Sequence, residues 1–176
     1  MGATFDALYH KDQQSIRVDK GAVRELRYKI PFGSSVVVRV SASTPVNLTI
    51  MGPHNEETEV AGTKEFKFTS DPGSELVIKL QGKTGFFTKP SSVTLEVEMF
   101  TSKDVVKVAD DVKNWVGVLK ELGKDYYAMN KELVQDLLRR IANVWSLLDD
   151  ETRTRAKELT VIVRQFEEGR KEVTQS

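Results

Sequence analysis

The sequence predicts an α+β protein. We expect an antiparallel, jelly-roll-like β-sandwich of about seven or eight strands over residues 1–100, then a helical hairpin or three-helix segment over residues 101–176. Apolar and polar residues alternate along the first part, which is typical of strands with one buried face. After residue 101 apolar residues recur every three or four positions, which predicts amphipathic helices.

Short alternating runs separated by turn residues predict the individual strands. The apolar positions of the clearest runs are Leu26, Tyr28, Ile30; Val36, Val38, Val40; Val46, Leu48, Ile50; Phe66, Phe68; Leu76, Ile78, Leu80; and Val93, Leu95, Val97, Met99. Further strands are expected near residues 15–19 and 57–61. Gly and Pro supply the backbone angles of tight turns. Turns are therefore predicted at Pro31-Phe32-Gly33, Ser43-Thr44-Pro45, Gly52-Pro53, Ala61-Gly62, Asp71-Pro72-Gly73 and around Gly82 and Gly85.

Three helices are predicted beyond the strands, over residues 103–122, 125–148 and 150–172. The first follows a capping-box spacing from Thr101 to Asp104. Gly123 ends it, or is crossed so that the first two helices join, because a glycine inside a helix costs only about 1 kcal/mol relative to alanine.

Charge and cysteine content exclude several classes of function. Residues 1–100 hold 12 basic and 12 acidic residues, and residues 101–176 hold 14 of each. No basic excess is present to neutralise phosphates, so dedicated nucleic-acid binding is not expected. The chain has no cysteine, which excludes disulfides, thiolate nucleophiles and zinc-thiolate sites. No signal-peptide pattern and no membrane-spanning run are found, so a cytoplasmic location is expected.

No motif predicts catalysis, a cofactor or a metal. Gly82-Lys83-Thr84 resembles the end of a phosphate-binding loop, but Val77 stands where its first glycine belongs, and the segment lies between strands. The histidines, His10 and His54, are far apart in sequence. We therefore predict a protein that is not an enzyme; an enzyme of unrecognised type ranks last among the hypotheses.

The helical apolar stripe is the main candidate interface. The stripe of the first helix keeps a heptad spacing for nearly three repeats, as coiled coils do. The alternative is an internal core of helix on helix or helix on sheet. The candidate interface residues are Val108, Val112, Trp115, Leu119, Leu137, Ile141, Val144, Trp145 and Leu148.

The loops of the β-sandwich are the second candidate surface, because a rigid scaffold can present variable segments to a ligand. The longest candidate loops are residues 52–63 and 82–91. The candidate loop residues are His54, Lys83, Phe86 and Phe87, with the two phenylalanines as an apolar lip or as a plug at one end of the sandwich.

Residues 57–100 contain a predicted strand from Gly62 to Thr69, the turn Asp71-Pro72-Gly73 and a last strand from Val93 to Met99. With these features the segment resembles GOLD-type β-sandwiches of the emp24/p24 cargo-receptor group. The resemblance implies a β-sandwich followed by an α-helical coiled-coil segment. The chain departs from this family in lacking its disulfide cysteines, membrane span and cytoplasmic tail.

Together these observations favour a protein–protein interaction or assembly protein. On this hypothesis the helices associate with a protein partner or with a second copy, as a homo-oligomer, and the sandwich presents a binding surface. The alternative is a β-sandwich module that binds a ligand or a peptide.

Overall fold

The computed structural model describes the backbone of residues 4–175 and the side chains of residues 4–169. It is an α+β structure of six antiparallel strands followed by three α-helices, and it divides into two compact units, Met1–Ser102 and Lys103–Ser176. The strands are β1 (Ala7–Val18), β2 (Val23–Ile30), β3 (Ser34–Met51), β4 (Glu56–Ser70), β5 (Ser74–Gly82) and β6 (Ser91–Thr101). The helices are α1 (Lys103–Met129), α2 (Lys131–Val144) and α3 (Asp150–Gln175), with a short 3₁₀ turn, Trp145–Leu147, before α3.

The strands form one curled antiparallel sheet in the order β1-β6-β3-β5-β2, and β4 also pairs with β3. The first half of β3 pairs with β6, from Ser35 opposite Phe100 to Ala42 opposite Val93. The second half of β3 pairs with β5, from Val46 opposite Gly82 to Met51 opposite Val77. One long strand therefore connects the β1-β6 and β5-β2 parts of the sheet.

The prediction of seven or eight strands is corrected to six in the described part of the chain, because two predicted turns lie inside long strands. The β3–β4 ladder runs from Ser34 opposite Ser70 to Ile50 opposite Glu56, with a shift in register between Ala42 and Val46. Residues 43–45 of β3 bulge at this shift, and bulges bend and twist a strand without ending it. The predicted turns at Ser43-Thr44-Pro45 and Ala61-Gly62 are thus a bend in a hairpin that continues on both sides.

The alternating apolar residues of the strands form one hydrophobic core inside the curl of the sheet. Its fully buried members include Ile30, Leu48, Leu80 and Val97. Every strand contributes to this core, so the alternation identified the inward face of the sheet correctly. The jelly-roll-like sandwich itself stays a prediction.

A charged cluster lies on the other face of the sheet. The Arg39 guanidinium donates hydrogen bonds to Glu65 at 2.7 Å, to Glu96 at 2.8 Å and to Glu98. The bond to Glu98, followed by the bond to Glu65, raises the pKa of Arg39, and the bond from Arg39 lowers the pKa of Glu65. The cluster ties β3, β4 and β6 together, which is a structural role.

Gly123 interrupts helix α1. Its backbone angles, φ 77° and ψ −162°, are not helical, so two helical pieces meet there. Glycine adopts such a positive φ without the steric cost that other residues have. The predicted second helix over residues 125–148 is corrected: helical structure after Gly123 ends at Met129, α2 covers Lys131–Val144, and the 3₁₀ turn follows.

Helices α1, α2 and α3 pack together within the second unit. Asp111 on α1 accepts a hydrogen bond from Arg140 on α2 at 2.7 Å, and Lys120 on α1 pairs with Glu158 on α3. Tyr127 is fully buried, and its hydroxyl donates to Glu167 at 2.6 Å and accepts from Gln135 at 3.1 Å. The ring of Tyr127 also contacts Phe166, with 5.7 Å between the ring centres.

Candidate functional site

The structure separates the four predicted loop residues into two groups. His54 lies beyond the end of β3 at Met51, where it stacks on Phe68 with 5.3 Å between ring centres and hydrogen-bonds Glu56 at 3.0 Å. Lys83 follows Gly82, which pairs with Val46 at the other end of this part of β3. The five residue steps from Val46 to Met51 span about 17 Å at the usual rise of a strand. His54 therefore lies apart from Lys83, Phe86 and Phe87.

The β5–β6 loop, residues 83–90 and hereafter the Phe loop, is held at its first end by the β1–β2 turn. The N–H of Gly82 donates to the carbonyl oxygen of Ala22 at 2.9 Å, and the N–H of Gly21 donates to the carbonyl oxygen of Lys83 at 3.2 Å. A Cβ on Gly82 would lie 2.1 Å from the carbonyl oxygen of Asp19, so only glycine fits. The two backbones can approach each other this closely because residue 82 has no side chain.

The other end of the Phe loop is held by the bulge of β3. The Ser91 hydroxyl donates to the carbonyl oxygen of Thr44 at 2.7 Å and accepts from the Thr44 N–H at 3.2 Å. The Thr44 hydroxyl donates to the carbonyl oxygen of Pro90 at 3.1 Å. Both ends of the loop are thus fixed by hydrogen bonds to neighbouring parts of the sheet.

The tip of the Phe loop carries two exposed aromatic side chains. Phe86 is 87% exposed and Phe87 is 89% exposed. Their rings meet edge to face, with centres 5.1 Å apart and planes at 82°. The predicted alternative, that they plug one end of the sandwich, disagrees with this exposure. A turn from Gly85 to Thr88, closed by a 3.0 Å backbone hydrogen bond, carries both side chains outward.

A cleft of about 510 Å³ lies beside the tip. Phe87 and Pro45 contribute apolar surface to it, and Glu59, Lys83 and Lys89 contribute charges. Three threonines complete its walls: Thr44, Thr84 and Thr88. Lys83 pairs with Glu59 at 2.9 Å, so these two charges offset each other.

The charges around the Phe loop are mainly positive. Residues 83–90 contain two lysines and no acidic residue. In the neighbouring turn, Asp19 pairs with Arg17 at 2.8 Å. Lys20 and Lys89 are exposed and have no ion-pair partner among the described residues. An exposed apolar tip therefore stands among uncompensated cations.

The structure places most of the predicted helical interface residues in the core of the folded chain. The buried ones are Val108, Val112, Leu119, Leu137, Ile141, Val144 and Leu148. Trp115 and Trp145 are half-buried. Trp115 lies 6.0 Å from Tyr126 between ring centres, and the Arg153 guanidinium lies 5.5 Å above the Trp145 ring. The stripe thus matches the internal-core alternative, because a buried side chain has no surface to offer a second chain.

Sequence reasoning missed a different apolar group on the helices. Leu122, Met129 and Leu133 are 55%, 83% and 60% exposed. They lie near the break at Gly123 and the join of α1 and α2. Leu122 and Leu133 follow the apolar periodicity of their helices, so periodicity alone could not show that they face solvent.

Nothing in the described part of the chain forms a metal-binding group of three or more His, Cys, Asp or Glu side chains. Among the described residues no helix is long and apolar enough to cross a membrane. The Phe loop with its cleft is the candidate site because of its two exposed rings, and it offers a ligand aromatic rings, hydroxyls and cations.

The sequence matches no family model and no curated protein. Solved structures with weak similarity include PliG from Aeromonas hydrophila, a periplasmic inhibitor of g-type lysozyme. It has 12% identity and a TM-score of 0.41, over 51% of this chain and 86% of that chain. Another is a CBM36-1 domain of a xylanase from the hindgut metagenome of Trinervitermes trinervoides, at 8% identity and a TM-score of 0.33 over 52% and 88%. These similarities show no family and no function, and the resemblance to GOLD-type domains stays a prediction.

Proposed function

We propose that this chain is a non-enzymatic binding protein whose β unit contacts its ligand through the Phe loop. The observation that supports this most strongly is the pair Phe86 and Phe87, both nearly nine-tenths exposed. Fully burying one such side chain is worth about 1.5–3 kcal/mol, so leaving two in water forgoes a sizeable gain in stability. An exposed apolar group among polar neighbours is typical of interaction sites.

The side chains around the cleft support binding rather than chemistry. Its one carboxylate, that of Glu59, is engaged by Lys83, and its hydroxyls belong to threonines without a histidine beside them. Nucleophilic catalysis needs a hydroxyl or thiol within hydrogen-bond reach of a base. The cleft can hold and orient a ligand, and its one carboxylate is bonded to Lys83.

The test is a binding panel for the intact chain: phage-displayed peptides, oligosaccharides and lipid vesicles. Each is compared between the wild type and the double variant Phe86→Ser/Phe87→Ser. The proposal expects at least one class to bind the wild type and to bind the variant about 100-fold more weakly, given the transfer free energy of two rings. The variant Val161→Ser is the matched control, because Val161 is 48% exposed and lies in the other unit. Equal binding to wild type and double variant would refute the proposal.

Assembly through the helices is the second candidate function. Leu122, Met129 and Leu133 favour it, since they are exposed apolar residues on adjoining helical segments. Light scattering measures the solution mass directly. The hypothesis expects an oligomer that the double variant Leu122→Ser/Leu133→Ser converts to a monomer; a monomeric wild type would refute it.

We also propose that the curled sheet closes as a jelly-roll-like sandwich. Two groups of paired strands support this: β1-β6-β3-β4 on one side of the bulge and β2-β5-β3-β4 on the other. Both groups share the bent β3–β4 hairpin. Aligned packing of two such layers places their inner faces about 10 Å apart with one core between them.

A further inference from the structure

We propose that the Phe loop docks on a lipid surface that carries anionic headgroups, with Phe86 and Phe87 entering the bilayer interface. The inference rests on the proposed binding function and names the partner of the same site. It requires an apolar tip that projects, cations around it, and a support that keeps the tip in place. The structure provides each of these.

The tip is a convex projection. Exposures of 87% and 89% mean that almost nothing else in the chain touches Phe86 and Phe87. A protein partner of standard size contacts about 800 Å² per side with complementary shape. Two projecting rings provide about 300–500 Å² and so fall short of such an area, since an aromatic side chain buries roughly 150–250 Å². A fluid bilayer has no fixed shape, so it accepts a small wedge without a complementary pocket.

The ring geometry also disfavours a sugar ligand. Sugar rings stack on the flat face of an aromatic side chain, and a flat platform of two side chains needs nearly coplanar rings. The planes of Phe86 and Phe87 stand at 82° to each other. They form a wedge and not a platform.

The charges around the tip select the type of lipid. Lys89 lies in the loop itself, and Lys20 lies beside Gly21, whose N–H is bonded to Lys83. The nearby acidic residues, Asp19 and Glu59, are each paired with a cation. Basic residues at a membrane surface are attracted by anionic lipids, and long lysine side chains keep their ammonium groups at headgroup level while their stems lie along apolar surface.

The support of the loop keeps the two rings outward. Bonds from Gly82 and Gly21 fix one end, and bonds between Thr44 and Ser91 fix the other. A tip fixed in this way loses less conformational freedom on docking than a flexible loop would, and such preorganisation increases affinity.

The test follows a fluorophore attached at the tip of the full chain. Because the sequence has no cysteine, Thr88→Cys offers a unique thiol for an environment-sensitive label. The labelled protein is titrated with two kinds of vesicle. One is phosphatidylcholine alone, and the other is a mixture of phosphatidylcholine and the anionic lipid phosphatidylserine. We expect a blue-shifted, brighter emission with the anionic vesicles. The variant Lys20→Gln/Lys89→Gln should need about 30-fold more anionic lipid for the same response, at about 1 kcal/mol per lysine.

The double variant Phe86→Ser/Phe87→Ser, labelled at the same thiol, should partition about 100-fold more weakly, and Val161→Ser should partition like the wild type. Vesicle binding that the serine substitutions leave unchanged would overturn the inference. The inference would also be overturned if the vesicles gave no response while a peptide or an oligosaccharide bound through the Phe loop. In that case the proposed function would stand. No binding to any of the three classes would overturn both.

Discussion

Replacing Leu119 by alanine tests whether the helical stripe is internal core or an interface between chains. Leu119 lies on α1 and is 1% exposed. A buried leucine truncated to alanine loses the transfer free energy of the removed carbons and leaves a cavity, at a cost of about 2.7–5 kcal/mol in well-packed cores. We expect the free energy of unfolding of the helical unit to fall by about 3 kcal/mol.

The matched control is Leu122→Ala on the same helix. Leu122 is 55% exposed, so it loses little burial, and alanine is the better helix former. We expect a change within about 0.5 kcal/mol, as for ordinary surface substitutions.

Urea unfolding followed by circular dichroism at the helical band measures both variants. If the free energy of unfolding falls by about 1.5 kcal/mol per molar urea, Leu119→Ala lowers the urea concentration at the midpoint of unfolding by about 2 M. The solution mass should stay unchanged. If Leu119→Ala left the midpoint in place and instead lowered the mass of an oligomer, the stripe would be an interface, and the internal-core reasoning would be wrong.

The remaining predictions concern a close backbone approach, a buried hydroxyl and an acid-sensitive contact. Gly82→Ala places a methyl group against the carbonyl oxygen of Asp19, so it should lower the free energy of unfolding by about 1–3 kcal/mol and with it the melting temperature. The Cβ of Gly117→Ala meets nothing within 4 Å, and this variant should raise the melting temperature slightly. Tyr127→Phe removes two buried hydrogen bonds and should lower the free energy of unfolding by about 1–3 kcal/mol in chemical unfolding. The hydroxyl of Tyr126 has no partner among the described residues, so Tyr126→Phe should lower it by less than about 0.5 kcal/mol. Equal costs for the two variants would contradict the assigned bonds. The hydrogen bond from Tyr28, at 2.7 Å, lowers the pKa of Asp12. The bond therefore stabilises the fold above the unfolded-state pKa of about 4, and this stabilisation is lost as the pH falls through the lower folded-state pKa. Asp12→Asn should make the loss of stability below about pH 4 shallower in an acid titration, and an unchanged slope would show that this contact is unimportant.

Local periodicity was sufficient for the α+β organisation and for the inward face of the sheet. Leu76, Ile78 and Leu80 alternate in sequence and are all buried, because a strand points successive side chains to opposite faces. At Gly123 the sequence left a helix end and a crossing both open, and the positive φ in the structure shows a break.

Long-range pairing decided what the sequence left open. Ser43-Thr44-Pro45 has the composition of a turn, but Thr44 is bonded to Ser91 across the sheet, and β3 continues beyond it as a strand. Composition predicts a local change of direction and not whether the chain reverses. In the same way, the second helical break at Asn130 lies within an apparently continuous amphipathic segment, and no proline or glycine marks it.

The candidate site was found only in part for the same reason. Phe86 and Phe87 were selected as loop aromatics, but whether they project or fold inward depends on bonds from Gly21 and Thr44, which are distant in sequence. His54 has the composition of an exposed loop residue, and only the register of β3 and β5 places it at another end of the sheet.

The most direct test of the central claim, that the Phe loop is the contact surface, is a pair of dissociation constants measured for one ligand. The ligand is the strongest binder from the peptide, oligosaccharide and vesicle panel, and the two proteins are the wild type and Phe86→Ser/Phe87→Ser with equal melting temperatures. We predict binding weakened by about 100-fold in the variant. Equal dissociation constants for the two proteins would contradict the claim.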